Sequence, residues 1–343
     1  MLTPSCRGPQ CGVMEVRLSH RTPVAARAFL AAALALAPVF AAGEGHPSKT
    51  RGWETLPGMP TARSEIACAV VDEKVYGVGG IGLDGSKRAF EALDLRTGRW
   101  ERLAPLPTKL NHSGVAAWQG VVYVSGGFLD LRQKHFSSSL HAYDTRTGEW
   151  RELGPMPAPR HKHFMIARDG WLHLFGGLGL RETWSCRIAT GEWRTDRIAP
   201  IPEQRDHITV LQDASSLYIV GGRRDRSAQA ACWRYDFRKG RWSVFTELPL
   251  ARSAPTAVLH RGRIHVVGGE DVETQETFRR HDILDLATGR WSAGEPLPRP
   301  RHGMASCKVG DRWIVIGGGR RAEVGTVFTA TRATEAMRLG GGR

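Results

Sequence analysis

Residues 249–269 read Pro249-Leu250-Ala251-Arg252-Ser253-Ala254-Pro255-Thr256-Ala257-Val258-Leu259-His260-Arg261-Gly262-Arg263-Ile264-His265-Val266-Val267-Gly268-Gly269, and variants of this stretch recur along the whole chain. Two apolar runs flank the turn at Arg261-Gly262, and a glycine pair stops the second run, which is the punctuation of a β-hairpin. The pair returns as Gly79-Gly80, Gly126-Gly127, Gly176-Gly177, Gly221-Gly222 and Gly317-Gly318. Sixteen residues before the first glycine of each pair stand Arg63, Leu110, Arg160, Arg205, Arg252 and Arg301, and three residues before each of these stands a proline. Trp53, Trp100, Trp150, Trp193, Trp242 and Trp291 precede the prolines by seven residues, or by nine for Trp193. Five of these tryptophans follow a glycine two positions back, as in Gly98-Arg99-Trp100.

Repetition at a period of about 48 residues is the signature of stacked supersecondary units. Each unit reads as four short strands. The first starts after the Arg position, the second ends at Gly-Gly, the third ends at an Asp six before the Trp (Asp94, Asp144, Asp236, Asp285), and the fourth starts at the Trp. A lone four-stranded sheet buries too little, so such sheets stack radially against one another. The expected fold class is all-β, a six-bladed β-propeller. The sixth unit has no Gly-x-Trp of its own, with strands expected at 303–309, 312–317 and 323–332. Residues 53–57, Trp53 through Pro57, are therefore expected to supply its outer strand and close the ring. The expected blades span about 61–107, 108–157, 158–202, 203–249, 250–298, and 299–332 joined by 51–60. A flexible tail is expected over 333–343.

The pattern Pro-x-x-Arg, Gly-Gly, aromatic-Asp, Gly-x-Trp resembles the kelch repeat, from residue 53 to about 331. It departs at Leu110, where the Arg is missing, at Ile188-Ala189, which replaces the aromatic-Asp pair, and after Gly318, where no Gly-x-Trp follows. The resemblance implies a propeller whose first strands line a central channel.

Composition agrees with a turn-rich β protein: of 343 residues, 41% are hydrophobic and 40 are Gly. No apolar run reaches the roughly 20 residues of a spanning helix. The net charge of +14 rests on scattered Arg, with no basic run or basic helix, so no nucleic-acid partner is expected. At the amino terminus Arg7, Arg17, Arg21 and Arg27 precede an apolar run over 28–40 and the small residues Ala41 and Ala42. That order predicts an export signal over 1–41, cleaved after Ala41 or Ala42, then a linker over 42–50, and a periplasmic or extracellular protein without a membrane span. Met14 is an alternative start. Cys68, Cys186, Cys232 and Cys307 fall in strand-like segments and are expected to be free thiols.

Strand direction puts the Arg positions and the loops after Gly-Gly on one face. A ligand site is expected there, with Arg63, Arg160, Arg205, Arg252 and Arg301 joined by His112, His207 and His302. The loops add Arg223, Arg224, Arg320, Arg321, Asp130 and Glu270. Five guanidiniums around one mouth would call for an anionic ligand: an acidic small molecule, a glycan or a protein partner. The leading expectation is an exported binding module without catalysis. A second follows from the layout, which resembles that of the periplasmic sialic acid mutarotases. That resemblance implies a Glu after a Gly-Gly strand end, here Glu270, as acid/base, with a following Arg for which Arg279 and Arg280 are poorly spaced. A copper site like that of galactose oxidase is not expected, because all five Tyr occupy repeat positions. No cofactor and no metal site are expected. His161-Lys162-His163 lacks a clear third ligand, and no phosphate loop, HExxH or Gly-x-Ser-x-Gly is present.

Overall fold

The computed structural model describes residues 52–177 and 179–340. The expected export signal and linker lie outside the described residues. Six four-stranded antiparallel sheets make up the fold. Blade one is Ala67–Val71, Lys74–Val78, Phe90–Asp94 and Arg99–Arg102. Blade five is Thr256–His260, Arg263–Val267, His281–Asp285 and Arg290–Ala293. The first strand of each blade packs against the first strands of its two neighbours, and blade six meets blade one, so the sheets form a closed ring. Apolar clusters fill the spaces between blades; one joins Val78 and Phe90 of blade one to Val122 and Val124 of blade two through Leu106 and Leu110. Each such fully buried side chain stabilises the fold by roughly 1.5–3 kcal/mol.

Ring closure occurs as the missing Gly-x-Trp requires. Blade six consists of His302–Val309, Arg312–Gly319, Thr334–Arg338 and, as outer strand, Trp53–Thr55. Trp53 pairs with Met337 in register, lies 5.4 Å from the Trp313 ring, and donates its indole N–H to the Glu295 carbonyl of blade five at 2.9 Å. The third strand of this blade corrects the expectation of 323–332. Residues Glu323–Gly325 form a 3-10 turn and Thr326–Thr329 a single helical turn; the strand follows at Thr334–Arg338, inside the expected tail. Alternating β-branched residues at 324–331 resemble a strand, but they form an insert over the channel mouth.

At three of the five repeat arginines the spacing of sixteen is a hydrogen bond. The guanidinium of Arg63 donates to the Gly79 carbonyl at 2.8 Å, that of Arg160 to Gly176 at 2.9 Å, and that of Arg301 to Gly317 at 2.6 Å. The second glycine then donates its N–H to the carbonyl at the Arg position of the next blade: Gly80 to Leu110, Gly127 to Arg160, Gly177 to Arg205, Gly222 to Arg252, Gly269 to Arg301, and Gly318 back to Arg63. Gly127 has φ +105°, and a Cβ there would lie 2.6 Å from the Asn111 carbonyl oxygen, so no other residue fits.

These bonds correct the expected role of the five arginines. Arg63, Arg160, Arg205, Arg252 and Arg301 are at most 2% exposed. Their charge is met inside the blade by Glu91 for Arg63, Asp282 for Arg252 and Glu335 for Arg301. The guanidiniums of Arg160 and Arg205 lie over the rings of Trp184 and Trp233. They are structural ties and do not form an anion-binding mouth. Cys68, Cys186, Cys232 and Cys307 are free.

Candidate functional site: the channel mouth

The residue two places after each repeat Arg position opens the channel. The six are Glu65, His112, Lys162, His207, Ala254 and Gly303, and all have positive φ, between 48° and 59°. A left-handed backbone is uncommon for residues other than Gly and persists only where surrounding structure enforces it. Here the enforcement is a circle of backbone bonds between blades. The His112 N–H donates to the Glu65 carbonyl, Lys162 to His112, His207 to Lys162 and Ala254 to His207, while the Ile66 N–H donates to Gly303. Five blades thus present one side chain each to the axis, and the sixth presents a glycine. Gly303 leaves room for Glu65, whose Oε1 would lie 2.5 Å from a Cβ added there.

The residue one place after the Arg position pairs by backbone with the residue that follows Gly-Gly. Asp206 pairs with Arg223 and Ser253 with Glu270, which carries both loop residues to the mouth. Arg223 donates to Asp206 at 3.2 Å and to Glu270 at 3.3 Å. Glu270 is 1% exposed; Ser253 and Arg223 serve one carboxylate oxygen, and the backbone N–H of Glu323 donates to the other at 2.8 Å. It therefore anchors the blade-six insert to the channel wall. Burial holds His112 and His207 well below the ordinary imidazole range and pushes Glu65 and Asp206 up. Burial also lowers Lys162.

A cavity of about 440 Å³ opens above this ring, lined by Glu65, His112, Lys162, His207, Arg223, Glu270 and His302 and, toward its rim, by Leu131, Arg132, Val324 and Phe328. A narrower axial space of about 130 Å³ continues below it past Cys68, Val115 and Met165. Among the described residues no carboxylate makes a direct ion pair with Lys162, though Asp206, Glu65 and Glu270 act on it at longer range; its ammonium lies 5.5 Å from the Phe128 ring centre. Of the expected site residues, the structure brings His112, His207, His302 and Glu270 together and withdraws all five arginines. Arg280 bonds Asp282 at 2.8 Å, and neither it nor Arg279 lines the cavity. Glu65 and Lys162 were not among the expected site residues. The signal for them is a column: two after the Arg position the six units read Glu, His, Lys, His, Ala, Gly, at a fixed offset from the repeat Arg and the Gly-Gly pair.

A family model described as the KLHDC2/KLHL20/DRC7 Kelch-repeats domain matches residues 48–177 and 178–333. The chain belongs to the kelch-repeat family. Kelch-like protein terF of Aspergillus terreus is 28% identical over 297 residues, which are 78% of this chain and 64% of that protein. Human Kelch-like protein 34 is 30% identical over 249 residues, 69% of this chain and 37% of that protein. The kelch chain spans less than two thirds of the length of either relative. The solved structure of YjhT matches with a TM-score of 0.70 at 16% identity, over 81% of this chain and 95% of that one, a likeness of fold. Among the described residues no helix is long and apolar enough to cross a membrane.

Proposed function

We propose that this kelch propeller is a binding module that takes a protein segment on the face of the loops after Gly-Gly, with an acidic group of that segment reaching Lys162. The observation that carries the reading is the rim of the mouth. Leu83, Leu131, Phe136, Val324 and Phe328 are 44–74% exposed, and all five stand on those loops. The other large apolar side chain exposed among the described residues, Val244, is on an outer strand. Apolar side chains gathered on one loop face around a polar cleft are the arrangement of an interaction site. Lys162 supports the acidic preference, since a partly desolvated ammonium with no carboxylate in direct contact gains from one that reaches it. The acidic-sugar isomerase reading has less support, because both oxygens of Glu270 already accept hydrogen bonds and no following Arg stands at the cavity.

Selection of the purified propeller against a displayed library of random peptides tests the proposal. The expected result is enrichment of peptides that combine apolar residues with an Asp, Glu or terminal carboxylate, lost on Phe328→Ser and on Lys162→Ala. Absence of enrichment, or enrichment that both variants retain, would overturn it.

A further inference from the structure

Three imidazoles at the cavity floor are each committed on one nitrogen. His112 Nδ1 bonds the Asn111 side-chain carbonyl, whose amide nitrogen is itself turned toward Ser86 at 2.8 Å. His207 Nδ1 bonds the Asp206 carboxylate. His302 Nε2 bonds the Arg321 carbonyl at 2.9 Å. All three partners can only accept, so each ring donates its N–H there and turns a lone pair the other way. The three lone pairs face one carboxylate. His112 Nε2 is 3.2 Å and His207 Nε2 4.0 Å from Glu65 Oε2, and His302 Nδ1 is 3.5 Å from Glu65 Oε1. His302 Nδ1 also lies 3.2 Å from Glu270 Oε2, and it is a buried nitrogen with no hydrogen-bond partner in a residue that is 1% exposed.

Acceptors facing acceptors in a desolvated space repel unless a proton or a cation stands between them, and one proton on Glu65 would meet only one of the three lone pairs. Three added protons would place three imidazoliums beside Lys162 and Arg223. A single cation meets all three lone pairs and the carboxylate at once. The local charge agrees, with Glu65, Asp206 and Glu270 set against Lys162 and Arg223. We propose that Glu65, His112 and His207 bind a divalent transition-metal ion of the zinc class, with His302 in reach as a fourth donor and the remaining position open to the cavity.

The donor atoms of Glu65, His112 and His207 all lie within 4.8 Å of one another. Ligand atoms on a tetrahedral ion with bonds of about 2.0–2.1 Å sit roughly 3.3 Å apart, so the donors complete the set by drawing together by up to about 1.5 Å. Imidazole with carboxylate selects zinc and its first-row neighbours over magnesium or calcium. Asn111 and Asp206 do what the outer partners of metal-binding histidines do: they fix the tautomer and aim the ring. The backbone circle through Glu65, His112, Lys162 and His207 holds the donors before any ion arrives. The three ligands come from three blades, which is why sequence spacing conceals them. The inference does not rest on a partner binding at the face, and its test uses none.

The purified protein, stripped with chelator, is titrated with Zn²⁺ by calorimetry and with Co²⁺ by visible absorption. One ion per chain is expected, with a raised melting midpoint and intense d–d bands of a four-coordinate site. Glu65→Gln and His207→Ala should each weaken binding tenfold or more, while His135→Ala, an exposed histidine on the same face, should change nothing. X-ray absorption of the zinc-loaded wild type needs no variant and is expected to report two or three imidazoles with oxygen donors. Failure to bind, binding that survives both variants, or a zinc with one imidazole or none would overturn the site.

Discussion

Arg63 and Glu91 form a fully buried pair at 2.7 Å, and Thr61 donates to the same carboxylate at 2.6 Å. Blade two handles the same two positions without charge: Leu110 replaces the Arg and His141 stands where Glu91 does, one strand over from Val124 as Glu91 is from Gly77. The repeat position therefore follows its strand partner, with acid or Trp opposite Arg and His opposite Leu. Removing one member of a buried pair strands the other charge and costs about 3–5 kcal/mol. Arg63→Ala should lower stability by about that amount in urea unfolding. The double change Arg63→Leu with Glu91→His copies blade two and should recover most of it. A double variant no more stable than Arg63→Ala would mean that the pairing has no such logic.

Closure is the element on which the other blades depend. The outer strand Trp53–Thr55 is held by its register with Thr334–Arg338 and by the indole of Trp53, which is 4% exposed. Trp53→Ala should cost about 3–5 kcal/mol. A larger loss is expected when residues 52–60 are deleted, since the edge of Thr334–Arg338 and an interblade face are then exposed; an unchanged melting midpoint in the deletion would place closure elsewhere. This strand was legible because one unit lacked its own Gly-x-Trp and one Trp lacked its own unit. The third strand of blade six was not legible: no aromatic-Asp marks its end, and the loop after Gly318 is of a length no other unit shares, so periodicity could not position it. The arginines misled for a related reason. Strand parity fixes the face on which a residue starts, but whether its side chain turns to the axis or back under Gly-Gly depends on the buried partner of the adjoining strand.

At the scale of the whole molecule the histidines couple stability to pH. Burial lowers His173 and His265 to about 4. In the unfolded chain each takes up a proton near the ordinary value of about 6.5. Between those values the unfolded state binds more protons, so stability falls as pH drops through that window, by up to roughly 1.4 kcal/mol per pH unit for each such group. His112 and His207 add to the fall, while Glu65 and Asp206, raised by burial, offset part of it. The melting midpoint should be lower at pH 5 than at pH 7, and His173→Gln should reduce the difference. A midpoint that rises on acidification would contradict this balance.

The propeller as a whole divides its cations between two tasks: the repeat arginines brace the strands within each blade, and Lys162 faces the cavity of the proposed binding site. Fluorescence anisotropy of one selected acidic peptide against wild type, Lys162→Ala and Arg205→Ala separates the two most directly. Loss of one charge-assisted hydrogen bond, about 1.5–3 kcal/mol, corresponds to a tenfold or greater loss of affinity for Lys162→Ala. Arg205→Ala should bind within about twofold of wild type at a temperature where both are folded, since its guanidinium lies over Trp233 and bonds the Ala231 carbonyl, away from the cavity. The reverse pattern, with affinity lost on Arg205→Ala and kept on Lys162→Ala, would contradict the account.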